Sequence, residues 1–213
     1  MHRRLPIYIL IDTSFSMTGE PLLAVQNGLE TLVKALRQDP QALETAYLSV
    51  IEFNSEVKQL EPLKDLTEFQ TPTLSVSGAT SMGASLSFLV KCIKEEVLVA
   101  GRRDWKPMVF LLTDGIPTDN LQKGIDALSE VNIGTFVACG AGSGAKVENL
   151  EKITKLVVTL DEANEDSISS FFKWVSASIS VGSQKVEQGN EVDGFGELPP
   201  PPKEINIIDL TKH

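Results

Sequence analysis

Histidine is almost missing from this chain: His2 and His213, at the two termini, are the only ones in 213 residues. No internal imidazole is therefore available as a general base, and without a Gly-x-Ser-x-Gly elbow a serine hydrolase is not expected. Cysteine is equally scarce. Cys92 lies inside a helical pattern and Cys139 at a strand end, in no Cys-x-x-Cys arrangement, so both read as reduced structural thiols of a cytoplasmic protein. Positive charge is in deficit, with 19 Lys and Arg against 29 Asp and Glu and a formal charge of -10. Nucleic acid is not an expected partner, because binding a phosphate backbone needs clustered cations. Phosphate-loop motifs are lacking too. Gly140-Ala141-Gly142-Ser143-Gly144 has neither the Gly-x-Gly-x-x-Gly spacing nor a Gly-Lys-Ser/Thr, and reads as a tight turn. The opening His2-Arg3-Arg4 and apolar run imitates a secretory signal, but Asp12 interrupts it and no small-residue cleavage site follows, so a first strand is expected and no membrane contact.

That opening run, Leu5 to Ile11, is the most informative stretch present. Seven apolar residues ending abruptly in polar turn chemistry read as a strand covered on both faces, as in a parallel sheet. Open α/β sheets bind ligands just past the carboxyl ends of such strands. Here Asp12, Ser14 and Ser16 follow at alternate positions, a carboxylate and two hydroxyls. These are hard oxygen donors, suited to Mg²⁺, Mn²⁺ or Ca²⁺ and not to zinc. Two later segments supply further oxygens: Ser77-Gly78-Ala79-Thr80-Ser81-Met82-Gly83 before a clear helix, and Thr113-Asp114-Gly115 at the end of a second buried strand, Val109 to Leu112. Asp12 or Asp114 alone reads as an ordinary turn or N-cap residue; the conjunction of the three segments reads as a cation site.

Together these segments resemble the metal-ion-dependent adhesion site of von Willebrand factor A domains: Asp-x-Ser-x-Ser, a distant Thr in a small-residue loop, and a strand-terminal Asp-Gly. The resemblance implies that Asp12, Ser14, Ser16, Thr80 and Asp114 are the metal residues, and it spans about residues 5 to 181. The opening Tyr8-Ile9-Leu10-Ile11-Asp12-Thr13-Ser14-Phe15-Ser16-Met17 and the motif separations are most similar to the bacterial TerY-type branch, associated with tellurite resistance and chemical stress. That branch implies a protein phosphatase and a kinase-like protein as partners.

The rest of the chain alternates strands and helices. After strand 5–11, Val25, Leu29, Leu32, Val33 and Leu36 recur at helical spacing up to Asp39-Pro40. Residues 45 to 53 read as a strand and 56 to 60 as a short one, the pair forming an antiparallel edge hairpin. Met82, Leu86, Leu89, Val90, Ile93 and Val97 make the strongest amphipathic helix. Strand 108–112, helix 119–130, strand 132–138, helix 145–151, strand 155–160 and helix 164–181 follow. The expected fold is α/β: a doubly wound, mostly parallel central sheet with one antiparallel edge strand and helices on both faces. In the last helix Ile168, Phe171, Phe172, Val175 and Ile179 form the packed stripe, and Trp174 falls off it towards solvent. In related A domains ligation can displace this helix; a fixed core helix is the expectation here. Residues 1–181 are thus read as the A domain and 182–213 as a flexible tail, with three glycines between Gly189 and Gly196 and then Pro199 to Pro202 in extended polyproline form. Ile205 to Leu210 reads as a frayed end or, less simply, as a docking strand.

Function follows from the donor set. Two carboxylates among neutral hydroxyls leave a bound cation with residual positive charge and an open position, electrophilic towards a carboxylate from outside. The expectation is a non-enzymatic, metal-dependent protein-binding module, with Mg²⁺ as cation and a partner that supplies an Asp or Glu. A Mg²⁺-dependent phosphohydrolase is the alternative, weakened because Ser14 stands where a second carboxylate would act; a purely structural metal is a third reading.

Overall fold

The computed structural model describes residues 3–192 and 198–209. His2, His213, Gly196 and Leu210, named above, lie outside them, as does Gly194. Seven strands form one sheet in the order β3-β2-β1-β4-β5-β6-β7: β1 (Leu5–Asp12), β2 (Ala46–Phe53), β3 (Val57–Asp65), β4 (Met108–Thr113), β5 (Thr135–Ala141), β6 (Leu156–Leu160) and β7 (Asn206–Asp209). All neighbours from β2 to β6 pair parallel, while β3 on β2 and β7 on β6 are antiparallel. The fold class is the one expected, with a second antiparallel strand, β7, at the edge opposite the expected one.

Every residue of β1 and β4 is buried. Alternation along each strand feeds two cores. One face, with Ile7, Ile9, Phe110 and Val137, packs against α1 (Glu20–Arg37), α2 (Pro40–Thr45) and α6 (Glu165–Glu187). The other, with Tyr8, Leu10, Leu111 and Ala138, packs against α3 (Met82–Glu96), α4 (Leu121–Leu128) and α5 (Val147–Glu151). From β1 the chain crosses to β2 and β3 on one side and returns to β4 on the other, so the order reverses between β1 and β4. Crevices for ligands form at such a switch point. Both segments that carry the acidic site residues end there.

Three sequence expectations change. Trp174 is buried: its ring lies near Phe171 and its Nε1 donates to Pro199 O at 2.8 Å. The last helix continues past 181 to Glu187, because Gly182 is no break. A Cβ there would stand 2.9 Å from Met108 Sδ, so the glycine marks close contact with the sheet and the buried Ser183 and Val186 follow on the same helix. The segment after the prolines does not fray but adds β7 to β6, with Ile207 opposite Val158. Val192 and Ile205 are buried beside that return. No helix among the described residues is long and apolar enough to cross a membrane.

Candidate metal centre

Three loops meet at the carboxyl ends of β1 and β4. The loop after β1 is knitted to its neighbours through Thr13, whose N donates to Phe53 O at 2.9 Å and whose Oγ1 accepts from Asn54 Nδ2 at 3.0 Å. Ser77 N donates to Thr13 O at 2.9 Å and Phe15 N to Gly78 O at 3.0 Å, which brings the small-residue loop alongside. That loop is fixed from its other side by Thr118 N, which donates to Thr80 O at 2.9 Å, and by the Asp119 carboxylate, which accepts from Gly83 N at 2.9 Å and Ala84 N at 2.7 Å. Asp119 thus caps α3 from a distant part of the chain, where Ser81 makes no side-chain cap.

The five side chains singled out by sequence come together. Asp12 Oδ1 accepts from Ser14 N at 2.9 Å, and its Oδ2 accepts from Thr113 Oγ1 at 2.5 Å. Ser14 Oγ and Ser16 Oγ share a hydrogen bond of 3.0 Å, and Ser16 Oγ donates to Asp114 Oδ1 at 2.6 Å. Thr80 joins them across Gly115. A Cβ built on Gly115 would lie 3.0 Å from Thr80 Oγ1, 3.5 Å from Asp12 Oδ2 and 3.7 Å from Ser16 Oγ. Oxygens from two segments therefore converge beside Gly115 of the third, where any other residue would crowd them, and Asp114 joins the group through its hydrogen bond from Ser16. Among the described residues no group of three His, Cys, Asp or Glu is placed to hold a metal. What converges is a mixed carboxylate and hydroxyl set, which fits a hard divalent cation.

Sequence reading missed the supporting residues Thr113, Thr118, Asn54 and Asp119. Only Thr113 stood inside a quoted motif, and its hydrogen bond to Asp12 requires two strands to be neighbours. It also missed the Gly144 contact, where a Cβ would come within 2.4 Å of Asp114 O. The glycine loop after β5 thereby lies directly against the Asp114 backbone. Glu52 on β2 is a further buried carboxylate beside Thr13, with Oε2 unpaired among the described residues.

Burial raises the Asp12 carboxyl above its usual range, against the hydrogen bonds from Ser14 and Thr113, with Asp114 adding repulsion. Burial raises Asp114 as well, opposed by Ser16. A raised folded-state value means that the native protein holds its proton longer than the unfolded chain does. The associated stability is complete below the ordinary Asp range and is lost as pH rises through the raised values. In metal-free buffer the wild type is expected to lose thermal stability relative to Asp12→Asn over that window, read from melting curves of the two proteins between pH 4 and 7.

A model of the von Willebrand factor type A domain matches residues 7–173. The structure is similar to proximal thread matrix protein 1 from the mussel byssus, solved with a zinc-occupied MIDAS motif, at 21% identity and a TM-score of 0.60 over 83% of this chain and 48% of that one. It is also similar to a von Willebrand factor type A protein from Catenulispora acidiphila (19% identity, TM-score 0.63, 84% and 43% covered). A third similar structure is the pilus adhesin SpaC of Lactobacillus rhamnosus GG in an open conformation (15% identity, TM-score 0.68, 84% and 30% covered). At these identities the likeness is one of fold, and the chain spans less than half the length of each structure. Among curated proteins none matches. With the family model covering most of its length, this chain belongs to the von Willebrand factor type A domain family.

Proposed function

We infer that this domain is a metal-dependent protein-binding module whose cation, held by Asp12, Ser14, Ser16, Thr80 and Asp114, receives an Asp or Glu side chain from a partner. The observation that carries this reading is the convergence of Asp12 Oδ2, Ser16 Oγ and Thr80 Oγ1 on the space beside Gly115. A divalent ion there would offset the two buried carboxylates and, with neutral hydroxyls as its other donors, keep a Lewis-acidic coordination position open towards solvent. Mg²⁺ suits this set best, with Mn²⁺ or Ca²⁺ as substitutes. The zinc-occupied MIDAS motif of the mussel protein is a reason to include Zn²⁺ in any titration.

The rim supports a protein ligand. Phe15, inside the Asp12–Ser16 loop, is 68% exposed, and Ile116, next to Gly115, is 50% exposed. Apolar side chains of that size, left in water next to residues of the cation site, fit a partner whose acidic residue is flanked by apolar ones. The setting inferred from the opening motif is a cytoplasmic stress-response complex of the tellurite-resistance type, with a protein phosphatase and a kinase-like protein as binding candidates.

The test is capture of partners from host lysate with and without EDTA, paired with calorimetry of the cation. Phe15→Ser and Ile116→Ser are expected to lower capture at least tenfold while leaving cation affinity within twofold. Capture that survives both chelation and these substitutions removes the module reading. Metal-dependent turnover of phosphate esters, lost in Asp12→Asn, supports the phosphohydrolase instead.

A further inference from the structure

Four of the chain's five arginines, Arg3, Arg4, Arg102 and Arg103, meet before the starts of β1 and β4, at the pole of the sheet opposite the metal centre. With Tyr47, Gly101 and Asp104 they line a cavity of about 350 Å³. That volume falls in the range of ~300–1,000 Å³ usual for small-molecule sites.

Arg4 is structural. Its Nε lies 3.1 and 3.0 Å from the two oxygens of Asp104, and its Nη2 donates to Glu96 O at 2.7 Å, at the carboxyl end of α3. This ties the loop before β4 to the start of β1. The other three are not used in this way. The Arg3 guanidinium lies over the Trp105 ring, 3.5 Å from its centroid, and donates through Nε to Arg103 O at 2.7 Å. Among the described residues the Arg102 guanidinium makes one long bond, 3.4 Å from Nη1 to Glu96 O. No carboxylate pairs with Arg3, Arg102 or Arg103 among the described residues.

Four guanidinium groups against one carboxylate leave three positive charges in excess around a single cavity, in a chain whose formal charge is -10. Screening over ~8 Å at physiological ionic strength makes this local excess, not the net charge, what an anion meets. Crowded like charges repel one another, and a bound polyanion relieves that repulsion. We propose that the pocket binds a compact oligophosphate, a ligand with two or more adjacent phosphoryl groups. Guanidinium forks match phosphate oxygens in pairs, and stacking on Trp105 holds one fork in place before the ligand arrives. An extended acidic peptide fits less well, because carboxylates on one side of a strand stand about 7 Å apart and spread their charge beyond one cavity. The inference stands apart from the metal centre and does not require it.

The test is calorimetric titration of the full chain with sodium tripolyphosphate in the presence of EDTA, which keeps the metal centre out of the measurement. Saturable one-to-one binding is expected, weakening as salt rises. Arg102→Gln combined with Arg103→Gln, which leaves the Arg4–Asp104 pair intact, is expected to weaken it at least tenfold with an unchanged melting temperature, and Asp12→Ala to leave it unchanged. No saturable binding, or equal affinity in the double variant, overturns the proposal. Tighter binding of a ten-residue polyglutamate peptide than of tripolyphosphate overturns it in favour of an acidic protein segment.

Discussion

Asp12→Ala is expected to weaken Mg²⁺ and Mn²⁺ binding at least a hundredfold while the sheet stays folded. Asp12 supplies one of the two carboxylates in the proposed cation set, and its Oδ2 faces the space beside Gly115. Two unit charges 4 Å apart are worth about 4 kcal/mol at an effective dielectric of 20, and a divalent ion doubles that. Losing half of this, about 4 kcal/mol, exceeds the roughly 2.8 kcal/mol that a hundredfold change represents. The effect on stability separates two variants. Alanine leaves Ser14 N and Thr113 Oγ1, which bond to Asp12 here, without their acceptor, at a cost of about 1–3 kcal/mol each where buried. Asparagine keeps an acceptor for Ser14 N and removes a carboxylate that burial disfavours. Asp12→Asn is therefore expected to lose the cation yet melt no lower than the wild type without metal. Calorimetry and melting curves decide both points, and undiminished affinity in either variant takes Asp12 out of the site.

Phe172→Ala is expected to cost about 3–5 kcal/mol, or roughly 6–20 °C in melting temperature for a domain of this size. Phe172 is buried in α6 where that helix meets α1, and its ring meets Phe171 edge-on with centroids 5.6 Å apart. Its fit depends on Gly28. A Cβ on Gly28 would come within 2.3 Å of Phe172 Cδ2, so α1 approaches α6 at the one residue that leaves room for the ring. Gly28→Ala should gain about 1 kcal/mol of helix propensity and lose more than that to overpacking. In the Phe172→Ala background the clash is gone and only the gain remains. The same substitution is thus expected to destabilise the wild type and stabilise the Phe172→Ala protein. Urea unfolding of the four proteins measures the cycle; purely additive effects would show that the ring does not occupy the space beside Gly28.

Elements with strong periodicity were legible in sequence. The buried run of β1, the stripe from Met82 to Ile93 in α3 and the apolar strand β4, which begins at Met108, appear in the structure within a residue or two. Weak or short signals were not. The six-residue α2 follows Asp39, whose carboxylate accepts from Gln41 N and Ala42 N, but a single turn and a half of helix carries too few apolar positions to show a period. β3 extends to Asp65 because pairing with β2 continues through an irregular register that no local pattern announces. Trp174 was misplaced because a helical stripe describes one face, whereas α6 is covered on a second side by the returning chain at Pro199.

The sequence alone determined the alternating α/β architecture and which oxygen-bearing side chains were candidates for a cation site, because hydrophobic period and side-chain chemistry are local properties. Asp12, Ser14 and Ser16 lie within five residues, so their common loop needed no fold to be seen. What only the tertiary structure decided depends on contacts between distant residues. Thr80 reaches the others through the space left by Gly115, Thr113 orients Asp12 across two neighbouring strands, and Asp119 caps α3 from the next crossover. The arginines make the same point: two Arg-Arg pairs about a hundred residues apart vanish in a composition dominated by acidic residues, and become one cationic pocket only because β1 and β4 lie side by side.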